Sequence, residues 1–454
     1  MDEKKRLFSN QDLKKLIIPL FFEQALAITI GMADTMMISS AGEAAISAVS
    51  LVDMINNLVN SVLAALTTGG AVIVSQFIGA KMRDEACRSA KQLVFSSGFI
   101  TAIVSAFIII FNKQIITLCF GKIEQDVFDN AVTYLFVSSF YFPCLAVFNS
   151  CAALFRSMGN SKITFKVSII MNIINVTGNA IGVFVLHMGI LGVAIPSLIS
   201  RFVATVVLYV LLKNPKNYIY LMKERFKVNF KIIKKIFYIG IPNGIENGIF
   251  QVGKVMVVGI ISGFGTVQIA ANGVANSLDS MGCIMGSAMN LAIITVIGRC
   301  VGAKDVEQVK YYTKKMLKIG HKWGAIINLI IIATMPITLP LYNLSDETTK
   351  LAFILVLIHN GIAIFLWPLS FTLPNMLRAC ADVRFTMVAA IFSMFVFRVG
   401  FSYLLGENMG LGAIGVWIAM ILDWVFRVIC FVARYFQGKW QRSCTTDSLI
   451  EDGV

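Results

Sequence analysis

Apolar residues run almost unbroken over about 20 positions at a time, the length an α-helix needs to cross a bilayer core. Twelve such runs lie near 14–39, 45–78, 92–112, 127–155, 163–187, 190–213, 236–262, 266–299, 319–342, 349–377, 385–405 and 411–436. Barrel strands would alternate in polarity over about ten residues, and these runs do not. The pattern predicts an all-α integral membrane protein with twelve transmembrane helices. Met1 to Lys15 is polar and charged, and the run after it contains Glu23 and Asp34 and is too long for a signal-peptide core. It is therefore read as a first span retained in the mature chain.

Composition agrees. Hydrophobic residues make up 57% and charged residues 14%, against roughly 45–50% and about 25% in soluble chains. A soluble enzyme, a secreted disulfide scaffold and a disordered chain are excluded. The nine cysteines are odd in number, scattered and without a C-x-x-C pair, so they read as small apolar fillers. His187, His321 and His359 stand apart in the sequence, and Gly69-Gly70 is not followed by Lys-Ser/Thr. Neither a metal-ligand spacing nor a phosphate cradle is present. No enzyme activity and no cofactor are expected, and ATP is not the expected energy source.

The net charge of +14 raises nucleic acid as a partner, but the placement of the charges gives another reason for it. Of 39 Lys and Arg, 32 lie in the N-terminus, in the loops after spans 2, 4, 6, 8 and 10, and in the C-terminus. The opposite loops hold only Lys113, Lys122 and Lys350, and Arg201, Lys254, Arg398 and Arg427 fall in or at the ends of spans. By the positive-inside rule both termini are cytoplasmic, in a cell-membrane protein. The basic excess is thus topological, and no nucleic-acid partner is expected. The densest cluster, between Lys213 and Lys235, reads as a loop contacting lipid headgroups.

Displacing the chain by 223 residues superimposes Pro19 on Pro242, Glu23 on Glu246, Ala48 on Ala271, Gly79-Ala80-Lys81 on Gly302-Ala303-Lys304, and Gly192-Val193 on Gly415-Val416. An offset of 222 brings Arg156, Lys162 and Thr164 onto Arg378, Arg384 and Thr386. Two pseudosymmetric six-helix lobes follow: an N-lobe over 1–213, a cytoplasmic linker over 214–235, a C-lobe over 236–436 and a cytoplasmic tail over 437–454. Six is even, so the repeats are parallel, and such lobes suit alternating access about a central cleft. The expected working unit is a monomer.

An ionisable group at mid-membrane costs about 2.5–3.5 kcal/mol on insertion scales, which makes it a functional candidate. Glu23 and Asp34 are eleven residues apart, so they share one helix face at about 20° and about 16 Å separation. Asp34, in the outer half of its span, is the candidate for exchanging a proton or holding a cation. Span 5 carries Asn172, Asn175 and Asn179 as one stripe, which could complete a shell around Asp34 or serve as interhelical glue. Asp53, Asn56, Asn57 and Asn60 in span 2 and Asn272, Asn276 and Asp279 in span 8 form a second, duplicated stripe, expected to line the cleft. Glu246, Lys254 and Asp279 are expected to neutralise one another.

Gly31-Met32-Ala33-Asp34-Thr35, Ser75-Gln76-Phe77-Ile78-Gly79-Ala80-Lys81, Leu154-Phe155-Arg156-Ser157-Met158-Gly159, Gly240-Ile241-Pro242 and Leu377-Arg378-Ala379 together resemble the multidrug and toxic compound extrusion (MATE) family, over roughly residues 10 to 436. The resemblance implies secondary-active export of small organic cations and amphipathic drugs, driven by Na⁺ or H⁺. It also implies that Asp34 is the helix-1 aspartate, Pro19 the proline at which that helix bends, Asn175 the helix-5 asparagine and Ser197 a helix-6 hydroxyl. Two positions depart from the family pattern. Asn179 stands where many members carry an aspartate, so a Na⁺ site at Asp34, Asn175 and Asn179 would have one carboxylate. Phe250 stands where the family has a second-lobe glutamate. Hard cations favour carboxylate charge, so the proton is the expected coupling ion. The alternative reading, a flippase for lipid-linked sugar or peptidoglycan precursors, would suit a cationic cleft, whereas Asp34, Asp53, Glu23 and Asp279 are acidic.

Overall fold

The structure is a computed structural model that describes residues 6–40, 42–221 and 227–445. The part of the expected linker at 222–226 and the tail from 446 lie outside the described residues. Among the described residues the chain is helical and contains no strand, as expected where lipid offers no partner for an open backbone. Twelve helices are long and apolar enough to cross a membrane. The first six are Asn10–Ile38, Glu43–Gly79, Arg83–Ile110, Gln125–Ser157, Ser161–Val185 and Leu191–Leu212. The second six are Phe230–Ser262, Ile284–Gly302, Val306–Tyr342, Asp346–Ala379, Val383–Asn408 and Gly412–Gln437.

By packing, the chain divides into two compact units, one of Asn10–Gly244 and one that begins at Ile245 and includes the segment before Asn10. In the first unit the fourth span lies against the second, third and sixth, and Val49, Val52, Tyr134, Leu135, Phe142 and Val193 form its core. Helices in lipid gain little from hydrophobic burial against one another, so close approach and hydrogen bonds take over. Ser75 donates to Ser157 at 3.0 Å and Ser97 meets Ser150 at 2.7 Å, each pair fully buried between spans. Helix 1 continues through Pro19. Proline has no N–H for the carbonyl four residues back, and the Ser161 hydroxyl donates to the carbonyls of Lys15 and Leu16 instead, at 3.2 and 2.7 Å.

The loop after the sixth span is tied down by Arg83, whose guanidinium donates to the carbonyls of Tyr218, Asn217 and Pro215. In the second unit Val257, Leu278, Leu355, Trp417 and Trp424 form the core. Phe8 in the segment before Asn10 exchanges two hydrogen bonds with the Tyr312 hydroxyl, at 2.9 and 2.7 Å.

One span differs from its expected bounds. The run at 266–299 divides at Cys283 into Thr266–Gly282 and Ile284–Gly302. Thr266–Gly282 is only 17 residues long, and Ile284–Gly302 is the piece long and apolar enough to cross a membrane.

The structure accounts for the duplicated glycines at 192 and 415. The fifth and eleventh spans both end in π-helical turns, Ile181–Val185 and Ser402–Asn408, against which the next helix begins. A Cβ on Gly192 would lie 2.7 Å from the Gly182 carbonyl carbon, and one on Gly415 2.6 Å from that of Leu405. Gly192→Ala and Gly415→Ala are each expected to cost about 1–3 kcal/mol through overpacking against backbone. Thermal unfolding of the purified variants in detergent checks this, and unchanged midpoints would mean that the helices separate freely.

Candidate functional site

Pairing of the first and fifth spans sets the site in the first unit. The Asn179 amide donates to Asp34 Oδ1 at 2.7 Å and lies 3.4 Å from Asn175 Oδ1, and Asn175 in turn donates to Ser197 Oγ at 2.9 Å. Asn175, Asn179 and Ser197 are buried, while Asp34 is partly open. Four of the residues singled out from the sequence thus form one hydrogen-bonded chain across three helices. Asn172 is half-buried on the same stripe and lies outside that chain. Asn179 Oδ1 is buried and accepts no hydrogen bond.

Two further groups complete the site. Asp53 of the second span lies within electrostatic reach of Asp34, and Arg201 of the sixth span within reach of both. Arg201 stands one turn beyond Ser197, donates to the Ser197 carbonyl at 3.0 Å, and stacks 4.2 Å over the Tyr141 ring. Asn56 donates to Asp53 at 3.2 Å. The expectation of a single carboxylate in the first-lobe site is therefore corrected, because helix packing brings the second from another span. Arg201 was missed as a site residue. Its signal was an arginine four residues after a helix-6 serine within an apolar run.

The arrangement has a simple electrostatic consequence. Two carboxylates within electrostatic reach of one guanidinium leave one negative charge, which a proton or a bound cation can meet. A Na⁺ ion would need several oxygen ligands. Asn179 presents its N–H to Asp34, so that amide would have to turn to offer oxygen beside the carboxylate, whereas Asn175 Oδ1 already lies 3.4 Å from the Asn179 amide. Among the described residues no three His, Cys, Asp or Glu side chains converge on a metal position.

Glu23 belongs to a different group. It accepts from the Thr164 hydroxyl at 2.9 Å and pairs with Arg156 at 3.5 Å. In the second unit its repeat counterpart Glu246 pairs with Arg378 at 2.6 Å, and Arg378 also donates to Asn375 at 2.7 Å. Thus the residues aligned at offsets 223 and 222 form the same ion pair twice. This corrects the expectation that Glu246, Lys254 and Asp279 neutralise one another. Arg378 takes Glu246, while Asp279 meets His359 Nδ1 at 3.1 Å. His359, isolated in the sequence, gains its partner only from helix packing. Asn57 and Asn276 are exposed on their helices, and Asn276 donates to the Asn272 carbonyl.

A charged group absent from the sequence expectations lies between the eleventh and twelfth spans. Asp423 is fully buried, accepts from Arg427 Nε at 2.8 Å and from the Ser393 hydroxyl, and lies 3.7 Å from Arg398. The i, i+4 spacing of Asp423 and Arg427 inside an apolar run was the signal available.

The family model MatE matches the chain twice, over residues 19–181 and 242–404. The two matches are displaced by 223 residues, the offset of the internal repeat. A Bacillus subtilis protein named as the uncharacterized transporter YisQ is 25% identical over 96% of this chain and 98% of its own. A Thermotoga maritima protein named as the probable multidrug resistance protein NorM is 25% identical over 95% and 93%. Among solved structures, an outward-facing multidrug resistance MATE family transporter of the MOP superfamily matches with a TM-score of 0.84 at 19% identity, covering 96% of each chain. A mutant of the Vibrio cholerae MATE transporter VcmN matches with a TM-score of 0.84 at 16% identity, covering 97% and 98%.

Proposed function

Because the chain belongs to the MatE family of membrane transporters, we propose that it is a secondary active antiporter that exports organic cations and amphipathic drugs in exchange for protons. The lobes on either side of the 214–235 linker alternate access to the substrate. The protein works as a monomer in the cell membrane with both termini cytoplasmic, the side that the basic loops mark. The drug substrate class is supported by relatives named as multidrug resistance proteins. The single observation that carries the coupling reading is the group of Asp34, Asp53 and Arg201, whose residual negative charge a proton can meet and release. The donor orientation of Asn179 toward Asp34 favours the proton over Na⁺.

Ethidium efflux from proteoliposomes tests this under an imposed pH gradient and, separately, a Na⁺ gradient. Efflux is expected to follow the pH gradient. Efflux that requires Na⁺ and ignores pH would replace the proton by sodium. Asn179→Asp adds a carboxylate beside Asp34, and the variant is expected to gain Na⁺ dependence.

A further inference from the structure

The second unit holds more positive charge than its carboxylates meet. Lys254, Arg398 and Arg427 all lie 5.5–5.7 Å from the centre of the Phe250 ring. Asp423 faces both arginines and binds Arg427 closely, but is 3.7 Å from Arg398, whose Nε is buried without a hydrogen-bond partner. Asp279 lies 3.1 Å from His359 Nδ1 and within electrostatic reach of Arg398, so two carboxylates, Asp279 and Asp423, stand against the three cations Lys254, Arg398 and Arg427. Lys254 has no carboxylate partner among the described residues. Phe250, which stands where the resemblance would place an acidic residue, brings no compensating charge.

Two of these cations, Lys254 and Arg398, line a cavity. A space of about 280 Å³ is lined by Lys254, Arg398, Asn276, Ser280, Trp417 and Met420, among others, at the small end of ligand pockets of roughly 300–1,000 Å³. Lys254 and Asn276 are accessible within it. Trp417 is held by its indole N–H, which donates to Asn272 at 3.0 Å, and with Val257, Ile261 and Met420 it supplies apolar walls. Two cations and neutral amides at one part of a small cavity with aromatic and aliphatic walls complement a small aromatic acid. The carboxylate would receive charge-assisted hydrogen bonds from Lys254 and Arg398, and the ring would lie against Trp417 and Met420.

We propose that this second-lobe cavity binds the carboxylate of a small aromatic acid, with Lys254 as the recognising cation. The proposal rests on the transport reading and extends its substrates to compounds bearing an anionic group. The probe is 2-naphthoate, titrated onto the purified protein in detergent and followed by its fluorescence, with the neutral isostere 2-acetonaphthone alongside. Saturable binding of naphthoate is expected, with Lys254→Gln weakening it about tenfold or more and Lys254→Arg retaining most of the affinity. Lys254 has no ion pair to lose, so Lys254→Gln should unfold at the same temperature as the unmodified protein. Equal affinity for the neutral ketone, unchanged affinity in Lys254→Gln, or displacement of naphthoate by equimolar chloride would each overturn the assignment. Gradient-driven ethidium efflux without naphthoate binding would remove this inference and leave the antiporter standing. Absence of ethidium efflux would instead count against the transport reading.

Discussion

Asp34→Asn is expected to reduce gradient-driven ethidium efflux to the level of protein-free liposomes while leaving the amount of folded protein nearly unchanged. The side chain keeps its shape, and its remaining carbonyl oxygen can still accept from the Asn179 amide, which donates to Asp34 at 2.7 Å. What disappears is the group that can take up and release a proton, because an amide does neither in this pH range. Asp53 and Arg201 would then balance one another and leave no charge for a coupling ion to meet. Efflux assayed at matched protein content decides the matter, and driven efflux equal to that of the unmodified protein would end the coupling role. Glu23→Gln is the informative contrast. Glu23 is bound to Thr164 and Arg156, so its loss should lower stability more than it lowers coupling per folded molecule. Uncoupling by Glu23→Gln but not by Asp34→Asn would reverse the two assignments.

The largest expected loss of stability follows Asp423→Asn. Asp423 is wholly buried and faces two guanidiniums, Arg427 at 2.8 Å and Arg398 at 3.7 Å. Removing its charge leaves both cations within the protein with no carboxylate between them. Breaking a buried ion pair from one side typically costs about 3–5 kcal/mol, because the surviving charge remains desolvated. A marked fall in the unfolding temperature and yield in detergent is the expected result. Adding Arg398→Gln to Asp423→Asn removes one of the stranded cations and should restore part of the loss. If Asp423→Asn is as stable as the unmodified protein, or if the second substitution deepens the loss, charge compensation is not what Asp423 supplies.

The duplicated ion pair marks the boundary between what is legible in the chain and what is not. Glu23 and Glu246, like Arg156 and Arg378, align as repeats in the sequence. Nothing in the alignment says that the glutamate of the first span in each lobe meets the arginine closing the fourth. Likewise, the glycines at 192 and 415 are visible as a repeat, but their reason is the backbone of Leu405 and Gly182, each on a preceding helix.

By itself the sequence determined the number of spans, the all-helical character of the described residues, the twofold repeat and the family, though not the break at Cys283. Each of these is written locally: a lipid solvent requires every spanning backbone to satisfy its own hydrogen bonds, so hydropathy and length suffice, and duplication shows as a constant offset. It also singled out Asp34, Asn175 and Asn179, because polar groups are rare in apolar runs, and Ser197 through the resemblance to the family. Only the tertiary structure decided that Asp53 and Arg201 join Asp34, that His359 faces Asp279, that Arg378 takes Glu246, and that Lys254, Arg398 and Arg427 gather around Phe250. Those pairings depend on the rotation of each helix about its axis and on its neighbours. Side-chain packing sets that rotation, and an almost uniformly apolar helix carries little of it in its own sequence.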